Sequence, residues 1–286
     1  MRRIEHPGPA GAVRRSVVAA RVTHRALEVA PGAPLLAALV DALASTGAES
    51  AVLQLHGGIF EPFAHVLPAL SKTPEHAVYF SDRHDASGAV TLRAATVSYG
   101  RRDGAPWLHC HGRWDDADGR PHCGHLLPDD AVLATPIAAD AWLVDGAAFQ
   151  VRRDAETRFS LFMPEAGEPA ARGTAGRPAL LVRLAPNEDV CTAIEALCAA
   201  HGVTSAEIRG GVGSTVGAAF EDGRRVEPFV TELLVRQGRV RPGADGAPMA
   251  EIDVCLVDHT GGIAEGRLER GANPVLVTFE LLIEPD

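Results

Sequence analysis

An internal repeat is the feature that most constrains how this chain can fold. Residues 27–53 align without a gap with residues 182–208, at an offset of 155 positions. Residues 104–124 match residues 246–266 at the shorter offset of 142, notably in a shared Gly-Ala-Pro. The shorter offset predicts an additional loop in the first copy, which we place within residues 64–87. Such self-similarity indicates two copies of one structural unit.

The repeat divides the chain into four predicted segments. Residues 1–15 form a basic N-terminal tail, residues 16–163 the first copy and residues 178–286 the second copy. Residues 164–177 are rich in proline, glycine and alanine, which is typical of a linker. A length of 286 residues is also ordinary for two domains.

Each copy begins with the pattern of a short strand that leads into a helix. In the second copy, Asn187 is a good helix N-cap, and Val190, Ile194 and Leu197 follow the spacing of a buried helical stripe. Short runs rich in Val, Leu and Ile follow, separated by Gly, Asp and Pro. No regular alternation of strands and helices is visible. The sequence therefore predicts an α+β fold: two tandem domains, each a mainly antiparallel β-sheet flanked by helices.

Composition limits the classes of function. The net charge of −10 opposes binding to nucleic acid and to anionic membrane surfaces, since both carry negative charge. No apolar run approaches the length of a membrane span, and no secretory signal is recognised near the N-terminus. The five cysteines are an odd number at scattered positions, which favours a reducing compartment. We therefore expect a cytoplasmic protein.

Histidines are concentrated in the segment WLHCHGRWDDADGRPHCGHLLP, residues 107–128. His109 and His111 would leave the same face of a strand, because side chains alternate along it. Residues 115–119 have the composition of a turn, after which the chain returns through His125. Three imidazoles that converge with a fourth position open are typical of a catalytic zinc site. The alternative is a set of hydrogen-bonded histidines on an exposed hairpin.

The same segment resembles the signature of the plants-and-prokaryotes-conserved (PPC) domain family: a Leu-His-x-His strand, an Asp/Gly turn and Gly-Gly-His-Leu. Residues 211–214 (GVGS) and 149–157 (FQVRRDAET) are similar to other parts of that family, so the resemblance covers both copies. It implies an antiparallel sheet with helices, a trimeric assembly and a metal held by three histidines. Carried over by position, the implied ligands of one divalent transition metal per chain, Zn²⁺ for preference, are His109, His111 and His125.

Two departures from the family pattern leave the ligand set open. Cys123 replaces the usual glycine before Gly124, and it could share a face with His125 as a fourth ligand. The alternative is a small buried cysteine. His56 stands in the glycine turn of the first copy, where it either lines the same pocket or is a loop histidine.

The second copy has lost the three histidines. At the offset of 142, their positions hold Glu251, Asp253 and Arg267. We expect one of the two acidic residues to form an ion pair with the arginine where the first copy would hold a metal. We therefore expect the second copy to have a structural role.

These observations favour an oligomeric metal-binding protein of unassigned activity, with itself and a small molecule as partners. Assembly as a trimer of chains is expected, and a compact pairing of the two copies within one chain is the rival. One alternative is a DNA-associated regulatory protein, as the family suggests, although the charge opposes it. The other is a metal-dependent hydrolase or lyase, in which Asp115, Asp116 or Asp118 would act as base.

Overall fold

The computed structural model describes residues 2–167 and 176–286. Most of the predicted linker, residues 168–175, lies outside the described residues. The N-terminal half comprises β1 (Arg15–Val29), α1 (Leu35–Ala44), β2 (Ser50–His56), β3 (Ile59–Phe60), β4 (Ala64–Val66), β5 (Pro68–Leu70), β6 (Val78–Phe80), β7 (His84–Asp85), β8 (Val90–Arg102), β9 (Ala105–Asp115), β10 (Pro121–Leu126), β11 (Ile137–Asp145), β12 (Ala147–Arg153) and β13 (Ser160–Ala166). The C-terminal half comprises β14 (Arg177–Leu184), α2 (Val190–Ala200), β15 (Ala206–Ala219), β16 (Arg225–Pro242), β17 (Pro248–Asp258), β18 (Ile263–Arg267) and β19 (Val275–Pro285).

The two halves share one strand order. The N-terminal sheet runs β1-β11-β2-β8-β9-β10, and the C-terminal sheet runs β14-β19-β15-β16-β17-β18. All of these pairs are antiparallel, and each half has one α-helix among its described residues. The α+β fold of two tandem, mainly antiparallel domains is therefore confirmed.

The additional loop of the first copy is a set of short strands. Strands β3 to β7 lie between β2 and β8, whereas β15 leads directly into β16 in the second half. Strands β5 and β6 form a small separate hairpin sheet in which Pro68 pairs with Phe80. The first half also carries β12 and β13 after the shared strands, so residues 164–166 of the predicted linker belong to a strand.

The halves are joined edge to edge and also pack face to face. Strands β1 and β14 pair antiparallel, with Val18 opposite Leu181, which joins both sheets. Cys123 of the first half packs against Leu234 and Cys255 of the second. The approach is close at Gly210, whose φ is +63° and where an added Cβ would lie 2.1 Å from a Val52 methyl group. A residue at this position must adopt a positive φ and have no Cβ, and only glycine does both.

Each helix covers the outer face of its own sheet. Buried residues of α1 pack with Leu53 and Val97 of the first sheet, and those of α2 pack with Leu256 and Phe279 of the second. The N-cap of α2 is Asp189, whose carboxylate accepts the Thr192 N–H. The sequence prediction of Asn187 as N-cap was wrong.

Asn187 instead binds the backbone of the N-terminal segment. It takes a positive φ of 65°, and its side-chain amide exchanges two hydrogen bonds with the backbone of Ile4. Nearby, His6 contacts the Leu276 carbonyl and Arg14 pairs with Glu156. The predicted basic tail is therefore held to the body of the protein at Ile4, His6 and Arg14, while residues 9–13 are exposed and Arg15 already belongs to β1. Among the described residues, no helix is long and apolar enough to cross a bilayer.

Candidate metal centre

Adjacent strands of the first half bring the three predicted histidines together. His109 and His111 lie on β9, and His125 lies directly opposite His111 on β10. The turn between the strands is fixed by Asp116, whose carboxylate accepts the N–H groups of Asp118 and Arg120. The register set by this turn places the third imidazole beside the other two.

Strand alternation directs these imidazoles toward the second half of the chain. Leu108 and Cys110, which alternate with them on β9, belong to the core beneath α1. The histidines therefore leave the opposite face, which the C-terminal sheet covers. The cluster lies between the two copies.

One nitrogen atom of each histidine lies close enough to the other two for all three to bind a common ion. The candidate ligand atoms all lie within 4.8 Å of one another, and His109 Nε2 is 3.1 Å from His111 Nε2. Nitrogen ligands about 2.1 Å from a tetrahedral Zn²⁺ would lie roughly 3.4 Å apart, so the spacing of the His109–His111 pair is close to that of a zinc site.

Groups of the second half hold two of the rings. His109 Nδ1 donates to Glu280 Oε2 at 3.0 Å, and His111 Nδ1 donates to the Leu233 carbonyl at 2.8 Å. Donation from Nδ1 leaves the Nε2 lone pair of a neutral imidazole free as a metal ligand. Two such lone pairs 3.1 Å apart repel each other unless a proton or a cation lies between them. The donor set therefore fits a transition metal.

His125 is the third candidate ligand. Its ring is packed against Phe80, with the ring centroids 5.2 Å apart. Its Nδ1 is buried and has no hydrogen-bond partner within the part of the chain that the structure describes. A buried polar nitrogen without a partner is costly, and this one supports a ligand-binding role for the ring.

Burial sets the protonation of the cluster. It lowers the pKa of His125 to about 3, helped by the neighbouring charge of His109. Burial and the other two imidazoles also hold the pKa of His111 well below its ordinary value. Burial opposes the charged form of His109 as well, but Glu280 raises the pKa of this imidazole above its ordinary value. Two of the three rings are therefore neutral, as metal ligands must be.

A second carboxyl group from the C-terminal half faces the same space. Glu232 on β16 is only 8% exposed, and its buried Oε2 has no hydrogen-bond partner among residues 2–167 and 176–286. Burial raises the pKa of this carboxyl to about 8, although His109 acts in the opposite direction. The group therefore holds its proton near neutral pH.

The three histidines line a cavity of about 220 Å³. Both halves line it: the first supplies the histidines and most of the aromatic side chains, and the second supplies Glu232 and Glu280. Most other lining side chains are apolar, with Ser214, Thr231 and Thr278 among the exceptions. A small apolar cavity with few convergent polar groups is typical of a small-molecule site.

The remaining candidates lie elsewhere. Cys123 is buried against the second half and is not part of the histidine cluster. His56 is half exposed and pairs with Asp140 outside the cavity. Among the turn residues, Asp116 bonds to His122, and none of the three turn aspartates lines the cavity.

The degenerate site of the second copy is an ion-pair cluster. Arg267 lies 3.0 Å from an Asp253 oxygen and 3.4 Å from a Glu251 oxygen. Asp253 and Arg267 are paired across β17 and β18, as His111 and His125 are paired across β9 and β10. The predicted ion pair between Arg267 and the acidic residues is confirmed.

Besides the structural role expected of it, the second copy supplies both carboxyl groups that line the cavity, Glu232 and Glu280. The sequence contains one indication of these two carboxyl groups. Glu280 and Glu232 each stand as a lone acidic residue in an apolar strand segment, VTFELLI and FVTELLV. An isolated carboxylate in a buried strand requires a partner, but the sequence does not show where that partner lies.

These observations define a tandem α+β protein with a three-histidine cluster enclosed between its copies. Residues 171–285 match the family model of the Plants and Prokaryotes Conserved (PCC) domain, the family named PPC above. The chain therefore contains a PCC domain in its C-terminal half. The N-terminal half, which lies outside the matched residues, repeats the strand order of this domain.

Several solved structures are similar to half of the chain. A PPC protein from Pyrococcus horikoshii is 14% identical, with a TM-score of 0.41, over 50% of this chain and 93% of that one. A metal-containing protein from Archaeoglobus fulgidus is 15% identical, with a TM-score of 0.40, over 50% and 94%. A candidate DNA-binding protein from Ralstonia eutropha is 17% identical, with a TM-score of 0.35, over 50% and 94%. No curated protein matches the chain.

Proposed function

We propose that this protein binds one divalent transition metal per chain, Zn²⁺ for preference, through His109, His111 and His125, and that the adjoining cavity takes a small molecule. The observation that carries the proposal is the approach of two imidazole Nε2 atoms to 3.1 Å while both Nδ1 atoms are committed to acceptors. A metal ion between the rings would accept both lone pairs, in place of the proton that the raised pKa of His109 favours there in the metal-free protein.

Groups of the second half would set the basicity and the orientation of the histidine ligands. A carboxylate on the outer nitrogen of a ligating imidazole raises the basicity of the ring and fixes its orientation, and Glu280 is so placed on His109. The Leu233 carbonyl fixes the ring of His111 in the same way. A bound Zn²⁺ with three protein ligands supplies Lewis acidity at its open position.

A metal-dependent hydrolase or lyase is the second candidate, and Glu232 favours it. Its Oε2 is buried without a hydrogen-bond partner among the described residues, and the side chain lines the cavity beside the histidines, where a general acid or base must lie. Glu232 would then hold or release a proton at Oε2 inside the cavity. The turn aspartates that the sequence suggested as bases lie outside it.

The metal content of the purified chain tests the main proposal. Elemental analysis should find about one zinc per chain after loading and dialysis, because only the first copy keeps three histidines. His111→Ala should lose the metal, and so should the double variant His109→Ala/His125→Ala.

His122→Ala is the matched control, because His122 lies on the same hairpin but bonds to Asp116 instead of joining the cluster. This variant should keep its zinc. Two metals per chain, or metal retained without His111, would contradict the proposed site.

A further inference from the structure

Aromatic side chains line much of the cavity next to the histidine cluster. The ring of Phe159 is stacked with that of Tyr79 at 5.6 Å and lies edge-on to that of Phe80 at 5.9 Å. Phe80 in turn lies edge-on to His125 at 5.2 Å, and Trp107 adds a further ring to the lining. These rings suit a flat apolar guest. The volume of about 220 Å³ lies below the roughly 300–1,000 Å³ of pockets for drug-sized ligands, so the guest is small.

One polar group that the second half contributes to the cavity lacks a hydrogen-bond partner. The hydroxyl groups of this half that line the cavity each bond to a nearby protein group: Ser214, Thr231 and Thr278. Glu280 is bonded to His109. Glu232, by contrast, is only 8% exposed, and its Oε2 is buried without a partner among the described residues. It stands next to Leu233, whose carbonyl holds the ring of His111, so this unpaired oxygen lies on the histidine side of the cavity.

The unpaired oxygen calls for a hydrogen-bond donor on the guest. A carboxyl group accepts a hydrogen bond whether or not it carries a proton, so this requirement does not depend on the ionisation of Glu232. A buried acceptor without a partner is costly, and a donor on the guest removes that cost.

The charges near the histidines favour a donor that is itself uncharged. The two carboxyl groups that line the cavity, Glu232 and Glu280, oppose an anionic head group. The metal proposed for the three histidines opposes a cationic one. A hydroxyl group carries no charge and still donates a hydrogen bond.

We propose that the cavity binds a small, uncharged aromatic molecule with a hydroxyl group, which donates to the Glu232 carboxyl while the ring packs among Phe80, Trp107 and Phe159. This inference rests on the proposed function, because it names the class of small molecule that the cavity takes and uses the metal to exclude a cationic head group.

Phenol and toluene are matched probes for the hydroxyl group, since a methyl group of similar size replaces it. In calorimetric titrations, the ratio of phenol affinity to toluene affinity should fall about fivefold in Glu232→Met, which removes the acceptor. The ratio should stay within about twofold in Glu232→Gln, which keeps a carbonyl oxygen. Comparison of ratios between variants cancels the different hydration of the two probes. Benzoate and benzylamine, the charged probes, should each bind more weakly than phenol.

A second pair of variants tests the position of the ring. Phe159→Ala should weaken phenol and toluene alike, about fivefold, because both probes carry the ring that this side chain contacts. Phe229→Ala, at an exposed phenylalanine outside the cavity, is the matched control and should alter neither affinity. Unchanged affinities in Phe159→Ala would overturn the placement of the ring.

Titrations with and without zinc separate this inference from the proposed function. If zinc binds at one per chain but the probe ratio is the same in Glu232→Met as in the unmodified chain, or a charged probe binds more tightly than phenol, only this inference is overturned. If the preference for the hydroxyl group disappears without zinc, the hydroxyl group binds the metal and its assignment to Glu232 is overturned. If the chain takes up no zinc, the metal site is overturned, and a probe ratio that still depends on Glu232 would support the cavity inference by itself.

Discussion

At the scale of single residues, the site depends on the environment that surrounds each titratable group. His125 and Glu232 are both buried, and burial shifts their pKa values in opposite directions, to about 3 and about 8. In each case the neutral form is favoured, because a low-dielectric environment penalises charge. A neutral imidazole is ready to bind a metal, and a neutral carboxyl is ready to donate a hydrogen bond.

Glu232 gives the metal-free protein a characteristic dependence on pH. Its pKa is raised from 4.5 to about 8 in the folded state, so the folded state binds the proton more tightly. The stabilising contribution is complete below pH 4.5 and is lost as the pH rises through 8. Denaturant unfolding should show a loss of roughly 4–5 kcal/mol across this range.

Glu232→Gln, which cannot ionise, should remove that slope and be more stable than the unmodified chain at pH 8. The control is Glu207→Gln, at a side chain that is 41% exposed, which should keep it. A Glu232→Gln profile parallel to that of the unmodified chain would contradict the assignment.

At the scale of elements, the two copies share one strand order but differ in how the start of the helix is stabilised. The residue before α1 is Pro34, whose side chain forms no capping hydrogen bond. The start of α2 is held by Asp189, which accepts the N–H groups of Thr192, Gly271 and Asn273. This carboxylate therefore ties the helix to the loop before β19.

Replacement of this cap tests its importance. Asp189→Ala leaves three backbone donors without their acceptor, and we expect a loss of about 1–3 kcal/mol in the free energy of unfolding. Asp41→Ala, at an exposed position of α1, should change it by less than about 0.5 kcal/mol. Urea unfolding monitored by circular dichroism measures both, and equal effects of the two substitutions would contradict the capping role.

At the scale of the whole molecule, the histidine cluster lies between two sheets that one chain supplies. The face-to-face pairing of the copies encloses the cavity, and the β1–β14 pair joins their edges. The strand β18 at the other end pairs only with β17 in the described part of the chain. An open sheet edge favours association with another chain.

We expect three chains to assemble into a closed trimer, a pseudo-hexamer of copies, because closed symmetry covers every such interface. Light scattering after gel filtration should then give about 90 kDa, three times the chain mass of 30.0 kDa. A mass near 30 kDa that is independent of concentration would contradict the trimer and leave the pairing within one chain as the only assembly.

We expect no useful binding to duplex DNA at physiological salt. Affinity for DNA depends on free cations that replace counterions, and residues 178–286 carry a net charge of −8. Three arginines of the basic N-terminal segment are already paired with acidic side chains, in Arg2–Glu227, Arg14–Glu156 and Arg15–Glu188.

Fluorescence anisotropy in about 150 mM salt should detect only weak attraction without sequence preference. The double variant Arg3→Gln/Arg25→Gln should weaken even this attraction to DNA. Sub-micromolar, sequence-selective binding would instead favour the DNA-associated function.

Local sequence patterns were sufficient to predict those parts of the protein that depend on neighbouring residues. The repeat predicted two similar domains, strand alternation and the Asp-rich turn placed His109, His111 and His125 together, and the substituted positions predicted the ion pair at Arg267. Each of these follows from spacing along one or two adjacent strands, which backbone geometry fixes.

The groups that lie opposite the histidines are set by tertiary packing and not by local pattern. Glu280 is 171 positions from the histidine that it contacts, and a strand pattern shows which face a side chain leaves but not what packs on that face. For this reason the structural role expected of the second copy does not include the supply of Glu232 and Glu280 to the cavity. The metal ligands could be predicted from neighbouring strands, whereas the cavity arises from the packing of two sheets that are distant in the chain.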